Sequence, residues 1–270
     1  MKYEKLIVFG TGNAMVSECY NTCFAIKGND GYFMVDAGGG NGILKQLKDS
    51  GVNVKKIHHL FVTHGHSDHV LGVVWVIRKI ASMMLTGSYK GDLRIYCHND
   101  LISAIPVICT ITLQKKLTDL FGKRIFLIPV QNGQTEKIMD YPVTFFDIHS
   151  TKLKQFGFTM TLTNGQKLTC LGDEPYNPLC EPYVTGSDWL LCEAFCLHRE
   201  ADIFKPYEKH HSTVKDAAQL ATNLDVKRLV LWHTEETHLD NRKKLYKKEA
   251  RDYFKNKIYV PDDLDKITLK

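Results

Sequence analysis

The 270-residue sequence predicts an α/β protein of two sheets with helices on their outer sides. Three observations carry that expectation. Short apolar runs of strand type recur along the chain. Helix-type patterns follow several of them. This order of strands and then helices occurs in both halves, with no linker-like or low-complexity stretch between them. A single domain spanning residues 1–270 is therefore expected.

In chain order, strands are expected at KLIVFG (5–10), TCFAIK (22–27) and YFMVDA (32–37), with GNDG as the hairpin turn between the last two. A glycine-rich turn, GGGNG, leads into a helix near 43–50. HLFVTH (59–64) reads as a buried strand. A helix over about 69–85 follows, with Leu71, Val74, Trp75 and Ile77 on its apolar face. LRIYC (93–97) is the next strand, and 99–121 reads as helical with a break at Pro106. In the second half, strands are expected at 125–130, 142–149, 156–163 and 167–173, the last two joined through Asn164-Gly165. DWLLCEA (188–194) and KRLVLWH (227–233) are further strands. Thr213 and Asp216 form a capping-box pattern at the start of a helix, and a charged helix covers about 240–254.

Composition narrows the class. With 44% hydrophobic and 24% charged residues, the chain is of ordinary globular type rather than disordered. The net charge of +5 suits an anionic substrate. No apolar stretch is long enough to span a bilayer, and the N-terminal residues do not read as a signal peptide. The eight cysteines are then expected to be reduced and largely buried in a cytoplasmic protein. Cys19/Cys23 and Cys192/Cys196, each spaced four apart, lack the companion pair that a zinc site needs.

The chemistry concentrates in VTHGHSDHVLG (62–72). His64, His66, Asp68 and His69 lie within six positions, between a strand and a helix. Imidazole and carboxylate ligands suit zinc, manganese or iron. Three more polar residues end apolar runs: His149 after PVTFFDI, Asp173 after KLTCLG and His233 after KRLVLW. Strand ends are where α/β proteins usually keep their chemistry. Singly, each reads as a capped strand end; together with 64–69 they read as a metal site.

This H-x-H-x-D-H motif with its three downstream followers resembles the metallo-β-lactamase superfamily over nearly the whole chain. The resemblance implies an αββα sandwich. It implies that His64, His66 and His149 bind one cation, that Asp68, His69 and His233 bind another, and that Asp173 bridges them. Two divalent metal ions follow as cofactors, Zn2+ first and Mn2+ as the alternative. Asp36, in VDAG, matches the superfamily's buried structural aspartate. Paired cations stabilise both oxygens of a displacement, and a water between them ionises near neutral pH. Asp68 would also orient that water.

DWLLCEAF and HHSTVKDAAQLATNLDVKRLVLWHTE, with FGTGNA and NTCF near the N-terminus, resemble the ribonuclease Z branch. There a strand-end glutamate orients a histidine of an H-S-T turn, so Glu193 and His211 become the catalytic pair. His210 is the adjacent alternative, and the H-S-T register favours His211. The tRNA-clamping arm of that branch lies, in its bacterial form, between the positions matching His149 and Asp173. Here the interval reads as a hairpin. Arm-less relatives include cyclic-nucleotide phosphodiesterases, among them the anti-Pycsar enzymes of phages.

The resemblance thus implies a two-metal phosphodiesterase of small phosphodiesters, 3′,5′-cyclic nucleotides foremost. Metal-bound hydroxide would attack, and Asp68, His211 and Glu193 would be catalytic. A small nucleotide or phosphodiester is the expected substrate partner, with long nucleic acid disfavoured and no membrane partner. A homodimer through the apolar region 70–121 is expected. The alternatives are a ribonuclease Z-like endonuclease on tRNA 3′ ends and a glyoxalase II-like thioester hydrolase. The second has no need of the Glu193/His211 pair.

Overall fold

A computed structural model describes residues 3–270. The first sheet begins with three antiparallel strands, β1 (Lys5–Gly10), β2 (Cys23–Lys27) and β3 (Tyr32–Val35). The expected turn closes the second hairpin, with Gly28 N–H donating to Gly31 O at 3.1 Å. Helix α1 (Gly42–Asp49) crosses to β4 (Ile57–Phe61), and α2 (Ser67–Leu85) crosses to β5 (Leu93–Cys97). Helices α3 (Asn99–Thr112) and α4 (Lys115–Thr118) lead to β6 (Ile125–Pro129). Strands β3 to β6 run parallel, as strands joined by helical crossovers do.

The second sheet starts with β7 (Thr135–Ile138), β8 (Tyr141–Asp147), β9 (Phe156–Thr161) and β10 (Lys167–Cys170), paired antiparallel. After α5 (Glu181–Val184) comes β11 (Trp189–Glu193), and after α6 (Ala201–Phe204) and α7 (Val214–Asn223) comes β12 (Arg228–Trp232). Helix α8 (Arg242–Tyr253) and β13 (Lys257–Tyr259) complete its parallel half. The last strand, β14 (Lys266–Thr268), returns to pair with β1. Among the described residues the sheet orders are β14-β1-β2-β3-β4-β5-β6 and β13-β12-β11-β10-β9-β8-β7.

Strand periodicity explains the layering. In β1, Leu6 and Val8 enter the core between the sheets, while Ile7 and Phe9 enter the core beneath α1 and α2. A strand buried on both faces reads as one apolar run rather than an alternation. The inter-sheet core is aromatic, with Phe24, Phe61, Phe145, Phe158 and Trp232. A third core lies under α7 and α8, around Ala217, Ala218 and Tyr246. The four layers form the expected αββα sandwich.

The structure amends several details. Pro106 lies inside α3 without ending it; the helix ends at Thr112 instead. The edge strands β7, β13 and β14 are additions to the sequence reading. All eight cysteines are free, and all but Cys19 are buried. The basic run of α8 is not wholly a solvated face. Arg242 is buried and donates to Thr234 Oγ1 at 2.9 Å, Pro261 O at 2.9 Å and Asp262 Oδ1 at 3.1 Å. No described helix is long and apolar enough to cross a membrane.

Candidate active site

The strand ends of both sheets converge on one edge of the sandwich. Strand β4 stops at Phe61, earlier than expected, so Thr63 to His66 form a loop and His66 becomes the N-cap of α2. Asp68 and His69 then lie in the first helical turn and are buried. Helix α2 sits tightly on the loop after β3. Gly72 N–H donates to Gly38 O at 2.7 Å, and a Cβ at Gly72 would stand 1.8 Å from Ala37 O. Only glycine lets the His69 turn approach this closely. Asp36, His149 and His233 all leave their strands in left-handed backbone, with φ of 54°, 59° and 56°. Such conformations are costly for residues other than glycine and concentrate at functional sites.

Hydrogen bonds fix the imidazole tautomers. Asp36 is buried; its Oδ1 accepts from Thr63 N at 2.9 Å, and its Oδ2 accepts from Thr63 Oγ1 at 2.7 Å and His69 Nδ1 at 2.8 Å. Because the Thr63 hydroxyl donates to Asp36, it accepts from His64 Nδ1 at 2.9 Å. Thr22 Oγ1 donates to Gly12 O at 3.0 Å and in the same way accepts from His233 Nδ1 at 3.3 Å. In its neutral form each of the three histidines therefore carries its lone pair on Nε2, the arrangement typical of metal-ligating histidine.

Those three nitrogens face one carboxylate oxygen. Asp173 Oδ2 is 3.7 Å from His64 Nε2, 3.3 Å from His69 Nε2 and 3.4 Å from His233 Nε2. His69 Nε2 is also 3.3 Å from Asp68 Oδ2, yet it is buried with no hydrogen-bond partner among the described residues. His66 Nδ1 lies 2.9 Å from His64 Nε2. Ligand atoms of Asp68, His69, Asp173 and His233 fall within 4.8 Å of one another, and so do those of His64, His66 and Asp173. Asp173 belongs to both groups. His149 belongs to neither; it is half-buried after β8, its backbone N–H donating to Asp147 Oδ1.

The electrostatics point the same way. Burial pushes Asp173 up, but His64, His69 and His233 outweigh it and hold the carboxyl well below its usual range. Burial likewise raises Asp68, and His69 more than offsets this to leave it lowered. Burial alone would depress His69, yet Asp36, Asp68 and Asp173 pull it well above normal. Burial dominates at His64, which is well below normal, and at His233, which falls to about 4. Three buried carboxylates around His69 form a pocket of excess negative charge. An orphaned buried nitrogen, convergent lone pairs and that charge fit bound divalent cations.

Beside this cluster, His211 Nδ1 is 2.8 Å from Glu193 Oε2, and Glu193 Oε1 accepts from Ser212 N at 2.6 Å. Glu193 is fully buried at the end of β11. The His211 ring stacks on Phe195, with centroids 4.9 Å apart and planes 5° apart, and lies 5.3 Å from the His233 ring. His210 is exposed and pairs with Thr151 instead. Burial raises the Glu193 carboxyl and lowers the His211 imidazole. Each group resists a lone charge, and the two meet as a hydrogen-bonded pair.

Sequence reasoning missed three contributors. Gln155 is buried and its Nε2 donates to Asp173 Oδ1. Thr22 sets the His233 tautomer, and Glu174 accepts from Ser150 at 2.6 Å. Gln155 and Glu174 lie in no recognisable local pattern, and NTCF, which contains Thr22, does not reveal its contact with His233. Tyr176 lines a cleft with Tyr207 and His211.

The family model described as "Anti-Pycsar protein Apyc1" matches residues 4–249. The chain belongs to that family. Among curated proteins it is similar to a ribonuclease Z of Bradyrhizobium sp. (strain ORS 278), 27% identical over 98% of this chain and 99% of the relative. Its fold is similar to that of YhfI from Bacillus subtilis, described as a metallo-beta-lactamase fold protein, at TM-score 0.78 and 18% identity, covering 98% of this chain and 99% of the other. Human tRNase Z, short form, aligns at TM-score 0.75 and 20% identity, with 98% and 99% covered. The fold is thus the metallo-β-lactamase sandwich. Family, fold and donor set together support a metal-dependent hydrolase of that superfamily.

Proposed function

We propose that this Apyc1-family chain is a two-metal phosphodiesterase of small phosphodiesters, with 3′,5′-cyclic nucleotides as the principal substrates. The observation that carries the reading is the Glu193–His211 pair, joined at 2.8 Å beside the donor cluster. Lactam and thioester hydrolysis do not require such a pair, whereas a phosphodiester leaving group needs a proton.

His64, His66 and Asp173 would hold one cation, with His149 as a further donor; Asp68, His69, His233 and Asp173 would hold the other. Zinc fits these nitrogen and carboxylate donors, with manganese as the alternative. When bound, such cations polarise phosphoryl oxygens and lower the pKa of water. Asp68 orients the attacking water through its carboxylate. His211 delivers the proton from Nε2 to the departing oxygen. Glu193 holds Nδ1–H, which fixes the tautomer and steadies the imidazolium before transfer. Phe195 keeps the ring plane fixed by stacking.

Substrate size follows from the interval between His149 and Asp173. It contains the β9–β10 hairpin, turned at Gly165 with φ of 82°. That leaves no room for an RNA-clamping arm there, and long RNA binds through many phosphate contacts. A small ligand needs only a cleft with an aromatic wall, for which Tyr176 beside His211 is suited. The test sets a panel of cyclic mononucleotides against a precursor tRNA with a 3′ trailer. Turnover of the cyclic nucleotides is expected. Trailer removal without it would shift the assignment to a ribonuclease Z-like endonuclease.

A further inference from the structure

A second group of metal-type donors lies away from Asp173. Glu200, Glu235 and His238 each offer a ligand atom, and these atoms lie within 4.8 Å of one another. His238 Nε2 stands 3.1 Å from Glu200 Oε1 and 3.0 Å from Oε2. Glu235 is only 5% exposed. Its Oε2 accepts from the Thr237 amide, but its buried Oε1 has no hydrogen-bond partner among the described residues. Burying a carboxylate oxygen without a donor is expensive, and the cost persists unless something positive meets it. The group sets a second carboxylate, that of Glu200, near this one.

We infer that Glu200, Glu235 and His238 form a site for an additional divalent cation of the zinc or manganese type. One imidazole nitrogen and two carboxylates are a mixed donor set suited to these ions. Entry from solvent is open, since the His238 side chain is 28% exposed and that of Glu200 14%. Arg199 Nε lies 3.4 Å from Glu200 Oε1, while Oε2 faces His238 Nε2 at 3.0 Å, so oxygen and nitrogen can share the ion.

The position of this site gives the ion a structural role. Glu235 follows His233 by two residues, and its backbone N–H donates to Phe195 O at 2.7 Å. Phe195 carries the ring stacked on His211. Glu200 lies farther along the same segment, where its N–H donates to Leu197 O at 3.0 Å. The ion therefore ties the turn after β12 to the segment after β11. It braces the backbone that follows His233 and Phe195 without touching the reacting atoms.

The test uses the full chain stripped with chelator and re-equilibrated with Zn2+ in one arm and Mn2+ in another. Bound metal is counted by elemental analysis for the wild type and for His238→Ala and Glu200→Gln. Anomalous diffraction from a zinc-loaded crystal locates the ions. The wild type should bind about one equivalent more than either variant, with an anomalous peak among Glu200, Glu235 and His238. Equal metal content in all three proteins, with a loaded Asp173 cluster and no peak at the outer group, would overturn the inference. Should a variant fail to fold, the anomalous map of the wild type decides alone. None of these readouts depends on phosphodiesterase activity, so an outer site loaded in a catalytically inert protein would still support the inference.

Discussion

Glu193 Oε2 and His211 Nδ1 stand 2.8 Å apart, and the carboxylate that holds the imidazole is wholly buried. The carboxylate's other oxygen is taken by the Ser212 amide. Glu193 therefore cannot swing away, and the imidazole is held against Phe195 at the side of the donor cluster. The same logic recurs at Asp36, which acts on His69 directly and on His64 through Thr63. In both places a buried acid that would hold no metal itself decides which nitrogen of a histidine is available.

Asp36→Asn is accordingly expected to weaken metal binding by roughly 10–100-fold, the usual effect of losing the partner behind a ligating histidine. An amide offers one acceptor oxygen where Asp36 serves three donors, so the His69 or the Thr63 contact must fail. Chelator competition measures the affinity. An unchanged affinity would show that the His69 tautomer is set by some other group.

Gly72→Ala is expected to destabilise the fold by about 1–3 kcal/mol, the range for forced overpacking. The added Cβ would meet the Ala37 carbonyl oxygen at 1.8 Å, and backbone cannot rotate aside as a side chain can. Denaturant midpoints of the two proteins give the difference. An equal midpoint would mean that α2 can slide away from the loop after β3 at no cost.

Self-association is expected through the exposed apolar residues of α2 and α3. Leu71, Leu85, Val107 and Ile111 are 40%, 49%, 60% and 77% exposed. Leu71, expected on the apolar face of α2, is thus exposed, while Met84 and Ile105 of the same helices are buried in the core. Light scattering at micromolar concentration should give a dimer mass, and Ile111→Glu should shift it toward the monomer. A monomer mass for the wild type would rule the pairing out.

Much of this architecture is legible in the sequence because it is local. The 64–69 motif, the GNDG turn, the Asn164-Gly165 turn and the Thr213/Asp216 capping box each lie within a few residues, and the capping box forms with both hydrogen bonds. What escaped depends on contacts distant in sequence. Gln155 reaches Asp173, and Thr22 reaches His233 from 211 positions away. The edge strands Thr135–Ile138 and Lys266–Thr268 are short and polar, so no apolar period marks them. Pro106 sits within α3, against the usual rule that proline breaks a helix interior. His238 and Glu235 read as a charged turn, and only the fold brings Glu200 to them.

The most direct measurement of the central claim is the initial rate of cyclic-nucleotide hydrolysis by the wild type and by His211→Ala at equal metal content. The metal-loaded wild type should turn over phosphodiester. The variant should fall by roughly 10²–10⁴-fold, the contribution of a positioned acid, with the metal retained. A variant as fast as the wild type, or a fully loaded wild type that cleaves no phosphodiester, would contradict it.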